Sequence, residues 1–379
     1  MDWRPENALT KRACKGDSVL YHLMNKDVVT ATYRGYERIG EFRFSLLDQC
    51  DSYLPYGLTD PNSWIDFRQI AKHRRPIEAH MRAAKLINRQ NFVEQTHCLA
   101  LTDTFWMKRA DEDISWDEVS LYHNPFDDVI ARIAFDGTSM CGGQNSLASP
   151  EYATSGSFAK CWVRDGDEIS LLKRGSSGWA NAGFEPYSEV LAAELLDVAG
   201  VDHVPYTIEQ YHGKLASKCP LFTSEDVGFV SAHRFFDGPF DVEDVLAFCD
   251  QHGGQEPFRE MIVMDAVMAN VDRHAGNYGF LIDNATGEVL RMAPLFDQNM
   301  ACLPMMMEHD DFDEYVGMIG PKIGTDFVMA ARALITSDIR TKLVALKDFE
   351  YTDPGLGCPA WKLDAVNRLK DRMIANILV

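Results

Sequence analysis

The sequence predicts an α+β chain in which a small antiparallel β lobe precedes a larger helical lobe, with an additional mainly helical region at the N-terminus. Three observations predict it. Short apolar runs broken by turn residues cluster between Phe158 and Cys219. Long helical patterns dominate from Asp241 onward, and a hairpin pattern, Tyr278 to Ile282 and Glu288 to Met292 turned at Asn284 to Gly287, lies between two of them. The chain accordingly divides into residues 1–140, 141–225 and 226–379.

Taken in order, the N-terminal part opens with polar residues and a strand at Asp27 to Tyr33, followed by helical patterns at Ile65 to Lys72 and Ile77 to Ile87. Trp64, Trp106 and Trp116 are spread through it as core anchors, because a large ring is stabilising where it can be buried. Val129 to Phe135 reads as an apolar helix end stopped by Asp136-Gly137. Strands at Phe158 to Val163 and Glu168 to Lys173 are joined by the turn Asp165-Gly166-Asp167. An amphipathic helix runs from Gly183 to a stop at Gly200, and strands at Val204 to Gln210 and Lys214 to Cys219 flank His212-Gly213. Helices follow at Val242 to Gln251, Phe258 to Ala269, Asp326 to Ile335 and Trp361 to Leu378. Met305 to Asp313, a methionine run with an acidic cluster, reads either as a substrate loop or as a disordered excursion.

Composition narrows the function. With 379 residues, 46% hydrophobic and 25% charged, the chain has material for two or three packed units. A formal charge of −20 argues against a broad nucleic-acid footprint, which needs clustered Lys and Arg. No apolar run reaches the ~18 residues of a membrane span, and Met1 to Arg12 carries no apolar signal core, so a cytoplasmic chain with no membrane partner is expected. Nine cysteines without a C-x-x-C pair imply reduced thiols. With no H-E-x-x-H or Cys/His cluster, magnesium is the only metal suggested.

The stretch Asn270 to Asp297 carries the chemistry. Moving a γ-phosphoryl group needs a carboxylate near the acceptor hydroxyl and hard oxygen ligands for Mg²⁺. Asp272 and Asn277 have the Asp-x-x-x-x-Asn spacing of a kinase catalytic loop, directly after an apolar helix, and the hairpin should fold Asp297 back beside Asn277. Arg273 and His274 read either as working polar groups or as donors to the loop carbonyls. Upstream, Thr154-Ser155-Gly156-Ser157 forms a turn whose backbone N–H groups could cradle phosphate. Lys173, ending a strand, and Glu189, on an apolar face of the next helix, form the pair that would hold the α- and β-phosphates. Lys160 competes as the phosphate lysine; the bland alternative leaves Lys173 solvated and Glu185, Glu189 and Glu194 on a helix surface. The order β, β, α, β, β and then helices is the layout of a two-lobed protein-kinase-like fold.

Asn270-x-Asp272-Arg273-His274-x-x-Asn277 and Ala293-Pro294-x-Phe296-Asp297 resemble the HipA-like family of bacterial serine/threonine kinases. So do Thr154-x-Gly156-x-x-x-Lys160-x-Trp162, Leu172-Lys173, Glu185-Pro186-Tyr187-x-Glu189-Val190, His203 to Tyr206 and Ser217 to Cys219. Leu101 to Trp106 and Leu121 to Phe126 share the likeness without a catalytic role. The resemblance implies ATP and Mg²⁺ as cofactors, Asp272 as base, and Asn277 and Asp297 as metal ligands. It further implies that Lys173 contacts phosphate, that Glu189 pairs with it, and that Cys219, Pro220, Leu221 and Phe222 form the adenine hinge. Thr154, Ser155, Gly156, Ser157 and His274 complete the expected nucleotide site, with Ser155 or Ser157 as an autophosphorylation site. The chain departs from its relatives in placing Gln298, Asn299 and Met300 where they have small residues, so their metal-loop mobility does not carry over. The expected partners are an unidentified protein substrate and an antitoxin-like regulator, with no direct nucleic-acid contact. Alternatives are a small-molecule or lipid kinase, a nucleotide-binding pseudokinase, and a toxin–antitoxin component.

Overall fold

A computed structural model describes residues 19–69, 75–137, 149–154, 156, 158–178, 180–236 and 238–379. The N-terminal region contains β1 (Val19–Asn25), β2 (Val28–Arg38), β3 (Glu41–Gln49), α1 (Pro61–Arg68), α2 (Arg75–Ala83), α3 (Arg89–Thr96), β4 (Phe105–Arg109), α4 (Trp116–Val119) and α5 (Asp128–Asp136). Its strands form an antiparallel sheet in the order β3-β2-β1-β4. The expected helices are present, but so is this four-stranded sheet, of which the sequence signalled one strand. The central strand β1 buries Tyr21, Leu23 and Met24 on both of its faces, which erases the alternation by which a strand is recognised. Asp60 caps α1 by accepting from the Ser63 N–H, and α5 ends on the left-handed Gly137. Trp64, Trp106 and Trp116 are all buried.

The small lobe holds β5 (Lys160–Asp165), β6 (Glu168–Arg174), α6 (Glu185–Ala199), β7 (Thr207–Tyr211) and β8 (Lys214–Pro220), in the sheet order β5-β6-β8-β7. Lys160 lies directly opposite Lys173 in the ladder, so both lysines leave the sheet on one face. The third part begins with β9 (Val227–Ser231), a strand the sequence did not signal, and continues through α7 (Val242–Gln251) and α8 (Glu256–Met268). The expected hairpin is β10 (Gly279–Asp283) and β11 (Val289–Met292), and β9 completes a three-stranded sheet on it. Helices α9 (Phe312–Met318), α10 (Phe327–Leu334), α11 (Ser337–Ala345) and α12 (Ala360–Leu378) finish the chain. Met305 to Asp313 is no excursion: Met306 and Phe312 are in the core, and the Met305 carbonyl accepts from Asn181 at 2.9 Å.

The largest apolar core brings α6 together with α8, α10, α11 and α12. A second lies beneath the N-terminal sheet and continues into the small lobe through Cys161, Leu172 and Ala216. Polar contacts fasten the N-terminal region to the hairpin turn, since Tyr53 and Asn25 both donate to the Asn284 carbonyl and Tyr56 donates to that of Gly287. Among the described residues no helix is long and apolar enough to cross a membrane.

Candidate active site

The loop after α8 is held by its own polar groups. Ala269 ends the helix in a left-handed turn, and the Asn270 amide donates to Asp265 at 2.9 Å while its oxygen accepts the Asp272 N–H at 3.1 Å. Asn277 closes the loop twice, donating to the Asp272 carbonyl and accepting from the His274 N–H, both at 2.9 Å. Arg273, fully buried, pairs with Asp265 at 2.7 Å and donates to the carbonyls of Asn277 and Phe296, both at 2.8 Å. One guanidinium therefore ties the loop after α8 to the residue preceding Asp297. Of the two readings of Arg273, the structural one holds. The hairpin does fold Asp297 back to Asn277, and both line one cavity with Asp272.

Lys173 sits at the centre of the second cluster. Its Nζ donates to Glu189 at 2.6 Å and to Asp297 at 2.8 Å, so Glu189 is a buried partner and not helix decoration. Ser217 holds the other Glu189 oxygen, and Tyr206 presents its ring to Lys173, 5.5 Å from the ammonium. Burial disfavours the charged Lys173, but Asp297 and Glu189 hold its pKa well above the ordinary value. Burial would also raise the Asp297 carboxyl; Lys173, Lys160 and Arg273 instead hold it well below the usual range. Glu189 is raised, first by burial and then by the Asp297 charge. Asp297 has a left-handed backbone with φ of 60°, and its N–H donates to the Tyr206 hydroxyl at 3.2 Å. That conformation is uncommon for a residue with a side chain, and the tyrosine helps to hold it.

Two joined chambers form the cleft. A narrow apolar one of about 140 Å³ is lined by Leu101, Trp162, Leu171 and the expected hinge, Cys219 to Phe222. Pro220 has no N–H and that of Leu221 already donates to Ile169, so two of the four hinge residues offer no free donor to a base. The wider chamber, about 400 Å³, holds Asp272, His274, Asn277, Asp297 and Gly156. Gly156 has φ of 91°, a backbone conformation that favours glycine, and the site is close enough to Lys160 Nζ that an added Cβ would displace that lysine's end. Thr154, lining the narrow chamber, accepts from Trp162 Nε1 at 2.9 Å. Ser155 and Ser157 lie outside the described residues. The His274 ring accepts the Gly276 N–H through Nδ1 at 3.0 Å.

Asn277 and Asp297 offer hard oxygens, and Mg²⁺ bound with a nucleotide commonly takes only one or two protein ligands beside phosphates and water, so the donor set fits that ion. Sequence reasoning missed Tyr206 and Ser217 as partners of the cluster although both fell in quoted motifs. It also missed Lys322, which reaches Asp272 from the loop before α10 and which no local pattern marks. The N-terminal region, whose role the sequence left open, supplies Trp64, Arg68 and Thr102 to the cleft wall.

No family model matches the chain. A serine/threonine-protein kinase, CtkA of Helicobacter pylori, is 27% identical over 133 residues, 31% of this chain and 41% of that relative's length. The HipA of Shewanella oneidensis, solved with HipB and its operator DNA, aligns over 94% of this chain and 96% of its own at a TM-score of 0.52 and 12% identity. The solved CtkA structure aligns over 58% of this chain and 91% of its own at a TM-score of 0.43 and 17% identity. The chain thus resembles the HipA-like kinases and has their two-lobed α+β fold.

Proposed function

We propose that this chain is an ATP- and Mg²⁺-dependent kinase that phosphorylates serine or threonine of a protein. The observation that carries the reading is the meeting of Lys173, Glu189 and Asp297 across a cleft that Asp272 and Asn277 share. Within it, 141–225 acts as the nucleotide lobe, 226–379 as the catalytic lobe and 1–140 as an added wall. When bound, magnesium neutralises the phosphate charge and ATP supplies the phosphoryl group. The protein residues do the rest. Lys173, oriented by Glu189, moves its ammonium from Asp297 toward the α- and β-phosphates. Asp297, once released from that pair, would hold the metal together with Asn277. The hinge segment Cys219 to Phe222 receives adenine in the apolar chamber, and Thr154 to Ser157, with His274, border the phosphates.

Asp272 takes the proton of the acceptor hydroxyl as the oxygen forms its bond to the γ-phosphorus. The bond from that phosphorus to the β-bridging oxygen breaks, and ADP leaves with the electron pair. Lys322 pairs with Asp272 beforehand and yields to the incoming hydroxyl. A phosphate placed on Ser155 or Ser157 would add about −1.5 to −2 charge beside the nucleotide phosphates and oppose binding.

The deciding experiment incubates wild type and Asp272→Asn with Mg²⁺ and ATP and reads intact mass and phosphopeptides. Added phosphate in wild type alone supports the reading, and its position tests the two serines. Nucleotide binding without any transfer, with candidate substrates supplied, would favour the pseudokinase. Because the Shewanella HipA was solved with HipB and operator DNA, an antitoxin-like regulator belongs to the same proposal, and co-purification from the native host tests it.

A further inference from the structure

The wider chamber runs from Asp272 and Asn277 to a wall built by Trp64, Arg68 and Arg234. Its carboxylates are each met by a cation: Asp297 by Lys173, Asp272 by Lys322, and Asp103 by Arg68 Nη2 at 2.5 Å. Two donor sets are left over. Arg68 is only 4% exposed, stacks on Trp64 at 4.6 Å, and its Nη1 has no hydrogen-bond partner. Arg234 makes no ion pair or hydrogen bond among the described residues; its guanidinium lies 3.9 Å over the Phe67 ring. Burial, and then the nearby Arg68 charge, lower the Arg234 pKa. A buried, unmet guanidinium donor is destabilising, and its natural complement is the paired oxygens of a carboxylate or phosphate.

We propose that Arg68 and Arg234 form an anion subsite on the acceptor side of the cleft, taking a carboxylate or phosphate carried by the protein segment whose hydroxyl is phosphorylated. The assignment to the acceptor rests on the kinase reading above and follows from position. Both arginines line the chamber that holds Asp272, and neither lines the hinge chamber. The nucleotide phosphates have Lys173, which lines the hinge chamber and not this one. The N-terminal region, through Arg68, and the catalytic lobe, through Arg234, thereby select the substrate together, favouring acidic or already phosphorylated sequence beside the acceptor.

Calorimetric titration of the full chain with inorganic phosphate, with and without saturating Mg²⁺ and a non-hydrolysable ATP analogue, tests the subsite without turnover. The expected result is phosphate binding that survives the analogue and is weakened at least tenfold in Arg234→Gln, a variant that breaks no ion pair. Arg68→Gln should act likewise, but Asp103 depends on it, so Arg234→Gln decides. Equal affinity in wild type and Arg234→Gln, or no phosphate binding beside the analogue, overturns the subsite. Paired peptides differing only in glutamate or phosphoserine against alanine next to the acceptor separate the two anion sources. At least a tenfold lower KM for either anionic peptide, lost in Arg234→Gln, supports the acceptor role; an equal KM for all three overturns it. Failure of the analogue to bind at all would count against the kinase reading, whereas intact transfer without anion preference counts against the subsite alone.

Discussion

Lys173 and Lys322 each neutralise a carboxylate that the proposed chemistry needs, and they do so in opposite settings. The Lys173 side chain is 8% exposed and grips Glu189, itself fastened by Ser217, whereas the Lys322 side chain is half exposed and meets Asp272 from a loop. A buried pair that loses one partner leaves a charge in a poorly solvating interior, and an exposed pair hands both charges back to water. The Lys173 cluster is therefore part of the architecture, while the Lys322 contact is a replaceable occupant of the position an acceptor hydroxyl would take.

The largest expected effect tests the exposed end. Asp272→Asn should lower kcat by about 10²–10⁴-fold, the usual loss when a general base is removed, with little change in melting temperature. A comparable fall in stability would mean that the exposed carboxylate is structural and would break the contrast. At the buried end, Glu189→Gln should cost about 3 kcal/mol in urea unfolding, the low side of the range for a broken buried pair, because Asp297 still holds Lys173. Nucleotide affinity should fall with it.

The pH dependence sharpens the same contrast. The Asp297 carboxyl is depressed in the folded state, so the unfolded chain binds the proton first as pH falls. Its stabilising contribution is present above the unfolded value of about 3.9 and is lost as pH falls toward the folded one. Wild type should lose more melting temperature between neutral and acidic pH than Asp297→Asn. The smallest effect is at Lys322: Lys322→Ala should change stability by less than about 0.5 kcal/mol, and the contribution it does make should vanish in high salt.

Most of the site was legible because its chemistry is local. The Asp272–Asn277 spacing, the hairpin leading to Asp297, and Lys173 at the end of a strand before the Glu189 helix are each carried by a short segment with a strong pattern. Strands β1, β3 and β9 were not legible. β1 is buried on both faces, much of β3 is exposed, and the five residues of β9 pair only with β10 and touch Thr102 of the N-terminal region. β3 does alternate from Glu41 to Phe44, with Phe42 and Phe44 buried and Glu41 and Arg43 exposed, but the pattern lasts only four residues before the exposed Leu46 and Leu47 break it.

What the sequence determined by itself is the list of chemically necessary groups and the local elements that carry them, since helix periodicity, turn residues and motif spacing act over a few residues. Only the tertiary structure decided which charges meet. Lys173 and Asp297 are 124 positions apart, Lys322 and Asp272 are 50 apart, and Arg68 reaches the same cleft from the N-terminal region. Charge pairing across such separations depends on how the cores pack the lobes together, and apolar packing is non-directional, so it leaves no residue-by-residue signature of the polar contacts it brings about.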